Sequence, residues 1–75
     1  MESTVKLNYN KLWKKLIDKG WRKKDLGEKA EISSASIAKL GRGENVTTEV
    51  LVKICQALDC DLNDIVETVR ETKEN

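Results

Sequence analysis

The chain has no histidine, only two cysteines, and three aromatic residues among its 75 (two tryptophans and one tyrosine). Without histidine it lacks the side chain whose ordinary pKa lies nearest neutrality and which most often serves as a general acid or base. No nucleophile elbow, no phosphate-cradling P-loop and no pair of carboxylates in a cleft replaces it. We therefore expect neither an enzyme nor a cofactor. Cys55 and Cys60 stand five apart. Two thiolates with no imidazole do not close a zinc site, so no metal is expected. Cys55 reads as a small core hydrophobe and Cys60 as a loop thiol. Thiols without a secretory context fit a reducing, cytoplasmic location. No apolar run approaches the roughly 18 residues that a membrane span needs. The first ten residues also lack the apolar segment of a signal peptide. Two tryptophans are too few to stack single-stranded bases, and Trp21 reads as packing.

What is present is charge, unevenly placed. The net charge is only +1. Residues 1–43 hold eleven Lys and Arg against five acids, a balance of +6. Residues 44–75 hold three against eight, a balance of −5. A dipolar chain of this kind can turn its basic half toward phosphates, although charge runs are also ordinary solvated faces. The length allows one domain with one small core, whose net stability is a few kcal/mol, so support from a partner subunit is reasonable.

Periodicity divides the chain into helices. In residues 1–8, Val5 and Leu7 alternate, which fits an N-terminal arm or short strand as well as an unstructured start. If ordered, such a strand could pair across a two-fold axis. Asn10 is a candidate cap for a first helix ending near Lys19, with Gly20 as its stop. Leu12, Leu16 and Ile17 form its inner face, extended by Tyr9 and Trp13. From Lys23 to Leu40 the pattern is two short helices with a tight break at Glu31-Ile32-Ser33. Leu26 and Ala30 face inward on the first, Ile37 and Leu40 on the second, and Ser33 is a good cap for the second. This is a helix-turn-helix, whose second helix would probe a DNA major groove. Thr47 caps a fourth helix with Val50, Leu51, Ile54 and Leu58 inside. Asp61 and Asp64 suit the start of a fifth, whose stripe is Leu62, Ile65, Val66 and Val69. Residues 70–75 read as a polar tail.

The run Leu26-Gly27-Glu28-Lys29-Ala30-Glu31-Ile32-Ser33, followed by Ile37, resembles the helix-turn-helix of phage repressor and Cro-type regulators. The stretch Thr47 to Leu58 is similar to that family's fourth helix, and the likeness covers roughly residues 9 to 66. Two positions depart from the family pattern. Gly27 stands where the family usually has alanine, which loosens the helix by about 1 kcal/mol. Glu31 stands where it usually has glycine at a positive φ, which costs a non-glycine residue about 1–3 kcal/mol.

The resemblance implies an all-α, compact five-helix domain of the lambda-repressor-like type over residues 9–69. It also implies a DNA-binding set. Ser34, Ala35 and Lys39 match positions that usually reach base edges, flanked by Ser33 and Ser36. Lys23, Arg42, Asn45 and Thr47 lie where the backbone or minor groove is met. The base-reading chemistry is modest: a serine suits any base, Ala35 a thymine methyl, and Lys39 guanine O6 and N7. No Asn, Gln or Arg stands on that face for a bidentate contact, so two half-sites or DNA shape would have to add discrimination. Leu62, Val66 and Val69 are the candidate dimer interface. The expected function is a sequence-specific double-stranded DNA-binding transcriptional regulator, acting as a homodimer on operator half-sites in a prokaryotic cytoplasm. The alternative is a protein-interaction module on the same fold, antitoxin-like or adaptor, with a partner protein in place of DNA.

Overall fold

Residues 3–8 and 67–72 pair with each other beside a helical body. In the computed structural model, which describes the backbone of residues 3–72 and the side chains of residues 5–70, the order is β1 (Ser3–Asn8), α1 (Asn10–Lys19), α2 (Lys23–Ala30), α3 (Ser34–Gly41), α4 (Thr48–Leu58), a single 3-10 turn (Leu62–Asp64) and β2 (Glu67–Thr72). β1 and β2 form a two-stranded antiparallel ribbon, with Ser3 opposite Thr72 and Asn8 opposite Glu67.

Local chemistry explains the helix boundaries. Ser33 Oγ accepts the Ser36 N–H at 3.1 Å and starts α3. Thr47 Oγ1 accepts the Val50 N–H at 3.2 Å and starts α4. Each satisfies a backbone donor that the helix itself leaves unpaired. α2 opens differently: the Asp25 carboxylate reaches back to the Arg22 N–H at 2.8 Å. α1 ends at Gly20, which adopts φ 72° and lets Trp21 N–H close on the Leu16 carbonyl at 2.9 Å. Asn10 is the first residue of α1 rather than its cap. The side chain that serves the turn is Asn8, whose Oδ1 accepts the Asn10 N–H at 2.8 Å.

The core is made by Tyr9, Leu12, Leu16, Leu26, Ala30, Leu40, Leu51, Ile54, Leu58 and Ile65, all buried. At about 1.5–3 kcal/mol for each large aliphatic side chain, these residues supply the main favourable term of folding. Leu26 and Ala30 face α4 and α3 from α2, and Leu40 is the anchor of α3. Ile17, expected inside, is 75% exposed. The turn of helix from Leu12 to Leu16 already fills the inward stripe, and Ile17 lies about 100° further round.

Among the described residues the five-helix expectation is corrected to four helices and a small sheet. The Asp61–Asp64 start signal is genuine, since Asp64 Oδ2 accepts the Asp61 N–H at 2.9 Å, but it opens only one 3-10 turn. Ile65 then plugs the core and the chain extends. Val66, Thr68, Val69 and Thr72 are β-branched and fit a strand better than a helix. β1 supplies the edge they pair with. The expected polar tail from Arg70 is strand as far as Thr72; its remainder lies outside the described residues. β1 pairs with β2 of its own chain.

The change of element also divides the candidate dimer stripe. Leu62 and Val66 line one groove with Leu7 and Thr68. Val69 stands opposite Lys6 in the register, on the other face of the ribbon from the Leu7–Thr68 pair. The helical spacing that joined the three does not exist in this fold. Among the described residues no helix is long and apolar enough to cross a membrane.

Candidate nucleic-acid interface

α3 is the element on which the candidate site is built. Its inward residues are Leu40, buried, and Ile37, half-buried. With 100° per residue, Ser34, Ala35, Ala38 and Lys39 then fall on the opposite arc, and all four are exposed. Ser33 is exposed but occupied: it caps the helix and donates its hydroxyl to Ser36 Oγ at 3.2 Å. Ser36 is half-buried and turned toward that cap. The outward chemistry of α3 is therefore Ser34, Ala35 and Lys39, while Ser33 and Ser36 shape its start.

The break between α2 and α3 has the left-handed residue that the family resemblance implies. Glu31 takes φ 57° and ψ 47°, the left-handed region, and its N–H reaches the Gly27 carbonyl. The Ile32 N–H bonds the same carbonyl at 3.0 Å. At Gly27 the helices lie close: a Cβ there would lie 3.4 Å from Ile37 Cγ1 and 3.6 Å from the Ile32 carbonyl oxygen. That distance is ordinary contact, so the position has room for little more than a methyl group.

Three lysines of α1 and α2 lie over indole rings. Lys23, exposed at the start of α2, puts its Nζ 4.7 Å from the Trp13 ring centroid. That Nζ also lies 3.3 Å from where a Cβ on Gly41 would sit, so Lys23 bridges the start of α2 and the end of α3. Lys19 and Lys29 lie over Trp21 at 5.8 and 5.2 Å. Cation–π contacts of this kind hold an ammonium near a surface without neutralising it. Trp13 and Trp21 both pack against the core with their inner parts, which bears out the packing reading of Trp21.

Beyond α3 stand Arg42, Asn45 and Thr47, all exposed. Thr47 is the α4 cap. Arg42 is not a free cation: its Nε lies 2.6 Å from Glu44 Oε2, and its Nη2 donates to Glu44 Oε1 at 3.3 Å. That hydrogen bond, with the charges of Arg42 and Lys39, holds the Glu44 carboxyl below its usual range. Asp25 is lowered as well, chiefly by the Arg22 backbone N–H and then by the Arg22 and Lys29 charges. The Arg42–Glu44 pair was not drawn from the sequence. Its only signal there was an Arg-Gly-Glu run in which the glycine permits a reversal, and Gly43 does take φ 74°. Among the described residues no group of three or more Cys, Asp or Glu is placed to hold a metal ion. Both cysteines are free thiols, half-buried against the core, with burial raising each.

The family model of the Cro/C1-type helix-turn-helix DNA-binding domain matches residues 11–71. The chain belongs to that family. The match runs from α1 through β2, so the Cro/C1-type domain of this chain includes the strand that closes its ribbon. The chain is also similar to a solved structure, the crystal structure of the transcriptional regulator VanUg in its form II. The identity is 46%, the coverage 89% of each chain, and the TM-score 0.84. No curated protein matches the chain. Within the Cro/C1-type frame, α2 and α3 are the helix-turn-helix, and the sequence reading of that motif stands. What the frame corrects is the C-terminal part, where a 3-10 turn and a strand replace the fifth helix.

Proposed function

We propose that this Cro/C1-type domain is a sequence-specific double-stranded DNA-binding transcriptional regulator of the prokaryotic cytoplasm that works as a homodimer on operator half-sites. The observation that carries the reading is the outward arc of α3, where Ser34, Ala35 and Lys39 stand exposed beside the basic first half of the chain. Lys39 addresses guanine O6 and N7, Ser34 either donates to or accepts from a base edge, and Ala35 meets a thymine methyl. Lys23, Asn45 and Thr47 contact the phosphates, and Arg42 lies beside the groove. The similarity to a transcriptional regulator at 46% identity supports the same role.

The dimer rests on Leu62, which is 48% exposed, and on Val66 beside it in the groove against Leu7. Val69, on the ribbon's other face, stands outside this patch. Two probes related by a two-fold axis would meet half-sites about 34 Å apart. The same exposed Leu62 favours the second reading, an interaction module whose partner is a different protein.

Selection from a pool of random duplexes at two salt concentrations, repeated with Lys39→Ala, tests the proposal. We expect a two-fold symmetric motif, blurred by the variant at one position in each half-site. Binding without enrichment would replace the regulator by a sequence-blind DNA binder. Absence of binding at low salt would leave the interaction module.

A further inference from the structure

Glu44 is held at both ends of its own backbone. Its N–H donates to the Lys39 carbonyl at 2.8 Å, on the probe helix. Its carbonyl accepts the Tyr9 hydroxyl at 2.9 Å, and Tyr9 is only 3% exposed. Arg42, two residues earlier, is fixed by its N–H on the Ala38 and Lys39 carbonyls, both at 3.1 Å. Gly43 reverses the chain between them. Core and probe helix together thus aim one carboxylate at one guanidinium, with contacts of 2.6 Å to Nε and 3.3 Å from Nη2. Both side chains remain about half in solvent, at 58% and 49%. The Nη1 donors take no part in the pair.

The pair has two consequences. Its net charge is zero, so it adds little to the sequence-blind attraction that lysines exert on phosphates. Its direction is fixed, and a guanidinium held in one orientation can read a base edge or a groove wall in a way that a free cation does not. Without Glu44, Arg42 would be one more mobile charge beside Lys39.

We infer that Glu44 is a positioning and specificity-determining residue, which orients Arg42 for DNA and withdraws Arg42's charge from the phosphates. Sequence-blind affinity is lowered and discrimination is raised. The inference rests on the DNA-binding function proposed above.

The test compares the selected duplex with a shuffled duplex of equal length, for the wild type, Glu44→Gln and Arg42→Lys. Glu44→Gln keeps both backbone hydrogen bonds and should fold normally. We expect it to bind the shuffled duplex about five-fold tighter near 0.1 M salt, with the slope of log K against log salt steeper by about one. The preference for the selected duplex should fall by at least a similar factor. Arg42→Lys keeps the charge balance but lacks the fork, so it should lose affinity for the selected duplex alone. In the DNA-free chain, the Arg42 Nε–H resonance should shift and exchange faster in Glu44→Gln. An unchanged slope and preference, with wild-type binding intact, would overturn the inference and leave the DNA-binding function standing. An equal loss on both duplexes would make Glu44 merely structural and overturn it too. A wild type that binds neither duplex would remove the function and the inference together.

Discussion

Glu31 carries a side chain where the backbone has the left-handed φ of 57° and ψ of 47°. A non-glycine residue there stores strain, and glutamate lacks the short side chain that eases the region for Asn and Asp. Replacing it with glycine removes the strain but gives the unfolded chain more freedom, and the first effect is the larger. Glu31→Gly should stabilise the domain by about 1 kcal/mol, raising Tm by about 4–8 °C in a thermal melt. A lower Tm would mean that the Glu31 side chain contributes more than its backbone loses. Asp59, at φ 53°, is the control: aspartate tolerates this region better, so Asp59→Gly should gain less. The strain at Glu31 was legible in the sequence because the run resembles a family whose turn usually places a glycine at that position. The orientation of Ile17 was not, because two apolar neighbours in a helix compete for one stripe and only the packed partners decide between them.

Among elements, the four helices could be read because each carries its signals within a few residues: Ser33 and Thr47 at their starts, Gly20 at a stop, and apolar residues three and four apart. The ribbon could not, because its paired residues are 59 to 69 positions apart in the sequence and neither half is a stable strand alone. The spacing of Leu62, Ile65, Val66 and Val69 satisfies a helix locally. What overrides it is the free edge of β1, whose backbone groups need partners. The candidate site divided in the same way. The exposed arc of α3 follows from period 3.6, whereas the Arg42–Glu44 pair depends on how a glycine folds the loop. The ribbon's interdependence gives a prediction. Deleting residues 1–7 removes β1 and the Leu7 packing, so the amides of residues 67–72 should lose hydrogen-exchange protection. The helical far-UV signal should persist, with stability reduced by about 2 kcal/mol. Unchanged protection in β2 would show that the strand has another source of order.

At the scale of the whole molecule, the basic and acidic halves of the sequence meet in the fold: Lys11 Nζ donates to the Asn63 carbonyl at 3.1 Å, and β1 pairs with β2. The lysines cluster on α1 and α2, and the acids gather after α4. The ribbon ties residues 3–8 of the basic half to residues 67–72 of the acidic half. Because Ser3 faces Thr72 and the strands run antiparallel, a force applied at the two termini acts across the ladder and opens it one pair at a time, from the tip toward Asn8 and Glu67. The helices feel no load until that zipper has parted. Under tension the molecule is therefore a weak clasp in series with a stronger knot, yielding first at low force by the length of the ribbon and only afterwards by the length of the helical body.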